Sequence, residues 1–305
     1  MLFFYPRKWF RLIKTALKNL ILYYLLPDKV YLKCKYKKVF KKKLNLKNPL
    51  TFSEKTQWLK LYDRNPIYQK MIDKYEAKKF VASIIGDQYI IPTLGIWSRF
   101  EDIDFNKLPE KFVLKCTHDA ASTIVCHDKS KLNLQDVKLK IIKALKQDYY
   151  RFSNKQWAYK GIKPRIIAEK FLTDSSDVKV GLIDYKLFCF NGSVHCVMLV
   201  KGREVGEIEY HFFDKNWELL RYLTYDFPGI NERSDFIFQK PRKLDEMFLI
   251  AEKLSQNIPF VRVDLYLTDE LIYFGELTFY HYGGMDTYIL PDVDLLLGNM
   301  IELKK

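Results

Sequence analysis

The chain has 305 residues, 48% hydrophobic and 29% charged. That apolar content excludes wholesale disorder, the charge excludes a membrane-embedded bundle, and the length allows two compact domains or one large core. The net charge of +14 points to an anionic partner, but fourteen of the 51 Lys and Arg lie in residues 1–50 against the single acid Asp28. The remaining 255 residues hold 37 basic and 36 acidic side chains, so a near-neutral body carries a basic N-terminal extension.

In that extension, Arg7, Arg11, Lys14 and Lys18 form one stripe and Phe10, Ile13, Leu17, Leu20 and Tyr24 another, which predicts an amphipathic helix. Its longest apolar run, Leu20 to Pro27, is far short of the ~20 residues a membrane span needs, and neither an uncharged signal core nor a small-residue cleavage site stands out. A basic face opposite an apolar one suits an anionic membrane surface; packing of the apolar stripe on the domain behind it is the alternative. Seven lysines between Lys33 and Lys43 extend the patch, so residues 1–43 are the expected membrane contact. Nothing base-reading accompanies them, and nucleic acid is not expected. The five cysteines are scattered, without a Cys-x-x-Cys pair, and fit a reducing cytoplasm. The expected place is therefore the cytoplasm, peripheral on the inner face of the cell membrane.

Beyond Pro49 the pattern predicts a helix capped by Thr51 or Ser53, and a second over about 72–85 that stops at Gly86. An extended stretch over 89–97 follows, then strands at 111–116 and 123–126 around a polar loop. A helix over 134–150, a strand over 165–172 and a hairpin over 184–200 turning at Asn191-Gly192 come next. A helix over 241–256 precedes strands at 260–266 and 271–280. Mixed helices and strands make the fold class α+β (mixed α/β).

The last two strands carry the chemistry. Residues i and i+2 share a strand face, so Arg262 and Asp264 point together, as do Glu276 and Thr278. A hairpin folded symmetrically about Glu270 sets Asp264 opposite Glu276 and Arg262 opposite Thr278, with Cβ atoms ~4.5–5.5 Å apart. Facing carboxylates need a cation between them, and hard oxygen ligands on rigid strands suit Mg²⁺. An arginine beside them suits a phosphoryl group in transfer; a plain ion-pair ladder is the alternative. Lys115, at the end of a buried strand before the loop 117–123, can reach into a phosphate cleft.

Taken in order, these segments resemble the ATP-grasp superfamily, which includes the D-alanine–D-alanine ligases. Asp73-Lys74 with Lys78, Gly86 and Pro92 resembles the stretch supplying a first nucleotide lysine, Lys74. Phe112 to Lys115 resembles the strand with the second. Ile167 to Leu172 resembles the adenine hinge, with Glu169 at the amino group and Lys170, Phe171 and Leu172 along the ring. Asp174 or Asp177 would meet the ribose. Arg262 to Asp264 and Gly275 to Thr278 resemble the arginine and Mg²⁺ ligands, so the metal set is Asp264, Glu276 and Thr278, and Gly283-Gly284 resembles the closing loop. More narrowly, 48–55 (NPLTFSEK), 184–192 (DYKLFCFNG) and 274–278 (FGELT) resemble the teichuronopeptide and surface-polysaccharide branch. Two departures stand out: the loop after Lys115 has no glycine, and Thr278 occupies a position that is commonly Asn or an acid.

The resemblance implies an ATP-grasp fold of two subdomains gripping a nucleotide. The expected boundaries are 1–48 for the basic extension, 49–105 for a helical region, 106–172 for the small subdomain and 173–305 for the large one. It implies ATP and Mg²⁺ as cofactors, and an amide-forming ligase joining an amino acid or amine to a uronic acid of a surface glycan. Lys115, Lys74 and Lys186 would hold phosphates and Arg262 would stabilise the transferring group. Two rival readings stand beside it. One is a glycosyltransferase using Asp102-x-Asp104 or Asp292-x-Asp294, and the other a degenerate ATP-grasp scaffold.

Overall fold

The computed structural model describes residues 25–173, 182–202, 208–223, 239–268 and 271–304. The amphipathic helix expected near residues 7–24, Asp174, Asp177 and the turn residues Asp269 and Glu270 lie outside them.

Helix α1 (Asp28–Phe40) buries Tyr31, Leu32 and Tyr36 against Leu44 and Leu61. Helix α2 (Phe52–Tyr62) starts at Thr51, whose hydroxyl accepts from the Glu54 amide. A short α3 (Ile67–Ile72) leads into α4 (Lys74–Ile85). Asp73 caps α4 by accepting from the amides of Tyr75 (2.9 Å) and Glu76 (3.0 Å), and Gly86 ends it at φ 101°.

Two antiparallel sheets follow. The smaller runs β1 (Thr93–Trp97), β4 (Ile166–Lys170), β2 (Phe112–Cys116), β3 (Ile124–Cys126) in spatial order, and α5 (Leu134–Leu145) buries Val137 and Ile141 in its core. The expected helix over 134–150 breaks at Leu145 and restarts as α6 (Tyr149–Phe152), because Asp148 caps the Arg151 amide instead of continuing the helix.

The larger sheet orders β7 (Glu209–Phe213), β6 (Ser193–Lys201), β5 (Asp184–Phe190), β8 (Phe260–Thr268) and β9 (Leu271–Thr278). Helix α7 (Leu244–Ser255) packs on one face, where the Cys189 thiol lies 3.9 Å from the Ala251 carbonyl. On the other, Phe52 of α2 meets Phe260 edge-on at 4.8 Å. The last helix, α8 (Pro291–Asn299), packs on α2 so closely that a Cβ on Gly298 would sit 2.2 Å from the Leu50 carbonyl oxygen. A bridge between Ile90 and Phe274 brings the smaller sheet's leading segment to the edge of the larger. Among the described residues no helix is long and apolar enough to cross a membrane.

The β8–β9 register pairs Asp264 with Glu276 and Arg262 with Thr278, but not by symmetry about Glu270. Near the turn the pairs are Thr268 with Leu271 and Tyr266 with Tyr273, one residue out of step. A bulge between Asp264 and Leu265, opposite Gly275, restores the pairing that the site uses.

Candidate active site

On one face of the larger sheet, Arg262 forks onto Asp264, Nε to Oδ1 and an Nη to Oδ2, both at 2.6 Å. The same Nη reaches the Thr278 hydroxyl (3.1 Å) and Oε1 of Glu276 (3.4 Å), and the other Nη donates to Nδ1 of His281 at 2.7 Å. From the neighbouring strand, the Lys186 ammonium also bonds Asp264, and lies 2.6 Å from Asp184. Register explains the convergence, since β5 sets Lys186 opposite Asp264 and Phe188 opposite Arg262. Burial by itself would raise the Asp264 carboxyl, but Arg262 and Lys186 outweigh it and hold it below the usual carboxylate range. Arg262 is correspondingly held above its ordinary value: burial opposes the charge, and Asp264, Glu276 and Asp184 overcome it.

Glu276 is the open member, its side chain 39% exposed against 1% for Asp264. Two facing carboxylates and a hydroxyl offer oxygen donors alone, which fits Mg²⁺ and disfavours zinc. Among the described residues no three His, Cys, Asp or Glu side chains converge as a metal cluster, so any ion here takes the rest of its shell from Thr278, water or substrate.

On the smaller sheet, Glu169 is 3% exposed and holds two lysines, Lys115 on Oε2 at 2.6 Å and Lys78 on Oε1 at 2.7 Å. Burial would raise this carboxyl, and the two ammoniums instead hold it below its ordinary value. Lys74 bonds the Asp119 carbonyl. Burial pushes the Lys74 ammonium down, partly countered by Glu276 of the larger sheet and Asp119, so this lysine stands between the two sets. Lys170, at the exposed end of β4, donates its amide to the Pro92 carbonyl (2.9 Å). Phe171 meets His127 edge-on at 5.0 Å, and Leu172 is half-buried.

The structure therefore joins Arg262, Lys186, Asp264, Glu276 and Thr278 in one cluster and Lys115 with Glu169 in another, with Lys74 between them. Three further members were given no site role from the sequence. Lys78 had one signal, its i+4 spacing from Lys74. Asp184 had its i−2 spacing from Lys186. His281 had none, since its contact is made across the fold.

A family model described as TupA-like ATPgrasp matches residues 54–302. The chain belongs to the TupA-like ATP-grasp family. Solved structures similar to it include the D-alanine–D-alanine ligase of Bacillus anthracis complexed with ATP (14% identity, TM-score 0.42, covering 81% of this chain and 65% of that one). Others are the Helicobacter pylori D-alanine–D-alanine ligase (15%, 0.40, 82% and 69%) and the ATP-grasp ligase PsnB complexed with minimal precursor (12%, 0.40, 80% and 66%). The chain thus spans about two thirds of the Bacillus enzyme's length, 65%. Among curated proteins there is no match.

In this TupA-like chain the glycine-free loop is held by side chains. Thr117 donates to Asp73 (2.9 Å), Ser122 donates to Asp119 (2.6 Å), and Ser122 accepts from the Cys116 amide (2.7 Å). Three of the four Asp-x-Asp carboxylates have structural partners. Asp102 pairs with Arg99 and Asp104 caps a short turn, while Asp294, in the first turn of α8, accepts from the Ser53 amide at 2.8 Å.

Proposed function

We propose that the protein is an ATP- and Mg²⁺-dependent carboxylate–amine ligase that joins an amino acid or another amine to a uronic acid of a cell-surface polysaccharide. The observation that carries this reading is the Arg262–Asp264–Glu276–Thr278–Lys186 cluster, in a TupA-like ATP-grasp chain, with Lys74 and Lys115 across from it. A carboxylate oxygen of the acceptor would attack the γ-phosphorus and ADP would leave. The amine nitrogen would then attack the acyl carbon, lose a proton and expel phosphate, leaving an amide.

Lys74, Lys115 and Lys186 supply ammoniums for phosphate oxygens, and Arg262 a guanidinium for charge developing on the transferring group. Glu169, with Lys170, Phe171 and Leu172, is the proposed adenine wall, and Asp174 and Asp177 the proposed ribose contacts. Asp264, Glu276 and Thr278 would hold Mg²⁺, which supplies charge neutralisation at the phosphates.

We place this activity at the inner membrane surface. Lys29, Lys33, Lys37, Lys38, Lys41, Lys42 and Lys43 are all exposed on α1 and just beyond it, an array suited to anionic headgroups. Incubation with Mg-ATP, a uronic-acid oligosaccharide and an amine mixture should release ADP and phosphate and give a product heavier by one condensed amine. Amide formation that proceeds without ATP overturns the reading.

A further inference from the structure

Lys60 sits in α2 with 1% of its surface exposed, and its three partners are all neutral. Its Nζ lies 3.0 Å from Gln57 Oε1, 3.2 Å from the Asn154 carbonyl and 2.5 Å from the Gly283 carbonyl. Three acceptors need three N–H donors. A neutral amine has two, so this is the geometry of an ammonium. A buried cation facing neutral partners is costly, and burial, reinforced by Lys35 of α1, pushes this group down to about 7. The other charged groups nearby are Lys155, next to Asn154, which lies 3.7 Å from Asp28, and His281. Burial, then Arg262, holds His281 well below its ordinary value and so neutral.

What Lys60 ties down is the turn that follows the metal strand. Tyr282, Gly283 and Gly284 have φ of 44°, 64° and 61°, a left-handed run that costs a tyrosine most. Gln57 adds a second tie, donating to the carbonyls of Gly283 (3.2 Å) and Gly284 (2.8 Å). At the head of this turn stands His281, with no exposed surface, accepting from Arg262.

We propose that Lys60 is a positioning residue: its ammonium holds the His281–Gly284 turn, and through His281 the Arg262 guanidinium, in place, and it does so only while protonated. The catalytic part of this inference rests on the ligase reading above; the tie itself does not. A neutral imidazole suits the role, because it fixes Arg262 without cancelling charge needed for a phosphoryl group. Raising the pH through the Lys60 value removes one N–H, frees a carbonyl and loosens the turn.

Amide hydrogen exchange over 281–285 tests this without any turnover. In the wild-type protein, exchange corrected for intrinsic rate should rise roughly tenfold between about pH 6 and about pH 9, while a peptide from 244–255 stays constant. Lys60→Met should exchange fast at both pH values and lose ADP-release kcat by on the order of tenfold to a hundredfold, with Mg-ADP affinity within about threefold of wild type. Lys60→Arg, which keeps the charge and donors, should restore part of both. Wild-type exchange that ignores pH overturns the proposal, as does a Lys60→Met protein with wild-type exchange and kcat. The pH arm needs no variant and decides the matter even where Lys60→Met does not fold. Absence of ADP release with a pH-responsive turn sinks the ligase reading and leaves the tie standing; normal release with an unresponsive turn does the reverse.

Discussion

Glu276 and Asp264 face each other across two strands, yet their substitution should read differently. Glu276→Gln alters a side chain that is 39% exposed. We expect ADP release to fall by on the order of a hundredfold and the Mg²⁺ requirement to rise, with Tm nearly unchanged. Asp264→Asn instead leaves Arg262 and Lys186 buried without their shared anion, and should cost about 3–5 kcal/mol of stability as well as activity. Calorimetric melting beside an ADP-release assay separates the two, and equal Tm losses would contradict the assignment of Glu276 as the open ligand. Glu169 makes a second residue-scale prediction. Its carboxyl is held low by Lys115 and Lys78 once burial is overcome. The stability it contributes is complete above the ordinary carboxylate value and is lost as pH falls through the lower folded value. Lys78→Met removes one cation and lets burial count for more, so the folded value rises toward the ordinary one, and the Tm lost on acidification should be smaller and complete at a higher pH than in the wild-type protein.

At the scale of elements, the bulge opposite Gly275 decides whether the metal pair exists. A Cβ there would lie 2.9 Å from the Tyr266 ring and 3.1 Å from the Asp264 carbonyl oxygen. Gly275→Ala should therefore cost about 1–3 kcal/mol by overpacking, and should reduce ADP release beyond what the Tm loss explains. The same hairpin shows what was legible in the sequence. The pairing of Asp264 with Glu276 could be read from strand periodicity, but the turn centre could not, because the bulge compensates for it outside the turn. The starts of α2 and α4 and the stop at Gly86 were legible because Thr51, Asp73 and Gly86 act on backbone groups within a few residues. Helix α8 was not. Its first-turn Asp292 and Asp294 have the spacing of a metal pair, and Asp294 is committed to α2, which lies far away in the chain. Strand β7 was missed too, since its residues, EYHFF, show no clean alternation and owe their state to pairing with β6. The cluster's cations were readable singly. Their partners were set by tertiary register, as the meeting of Lys115 with Glu169 across β2 and β4 illustrates.

At the scale of the whole molecule, the basic extension does not end where the fold begins. Helix α1 carries the exposed lysines on one side, while Tyr31, Leu32 and Tyr36 are buried on the other. The Tyr31 hydroxyl donates to Asn154 (2.9 Å), whose carbonyl is a partner of Lys60. Deleting residues 1–40 would strip that cluster and disturb the site, so such a truncation confounds membrane binding with folding. Charge neutralisation on the exposed side is the cleaner experiment. Changing Lys37, Lys38, Lys41, Lys42 and Lys43 together to Gln touches no residue of the proposed site and leaves the buried face of α1 intact. At about 1 kcal/mol per lysine near an anionic surface, binding to vesicles containing phosphatidylserine should weaken by at least a hundredfold. Wild-type binding should itself fall steeply as salt rises, because exposed charges are screened within about 10 Å at ordinary ionic strength. ADP release in solution should stay at the wild-type rate. Vesicle binding that survives the five substitutions would move the membrane contact away from these lysines.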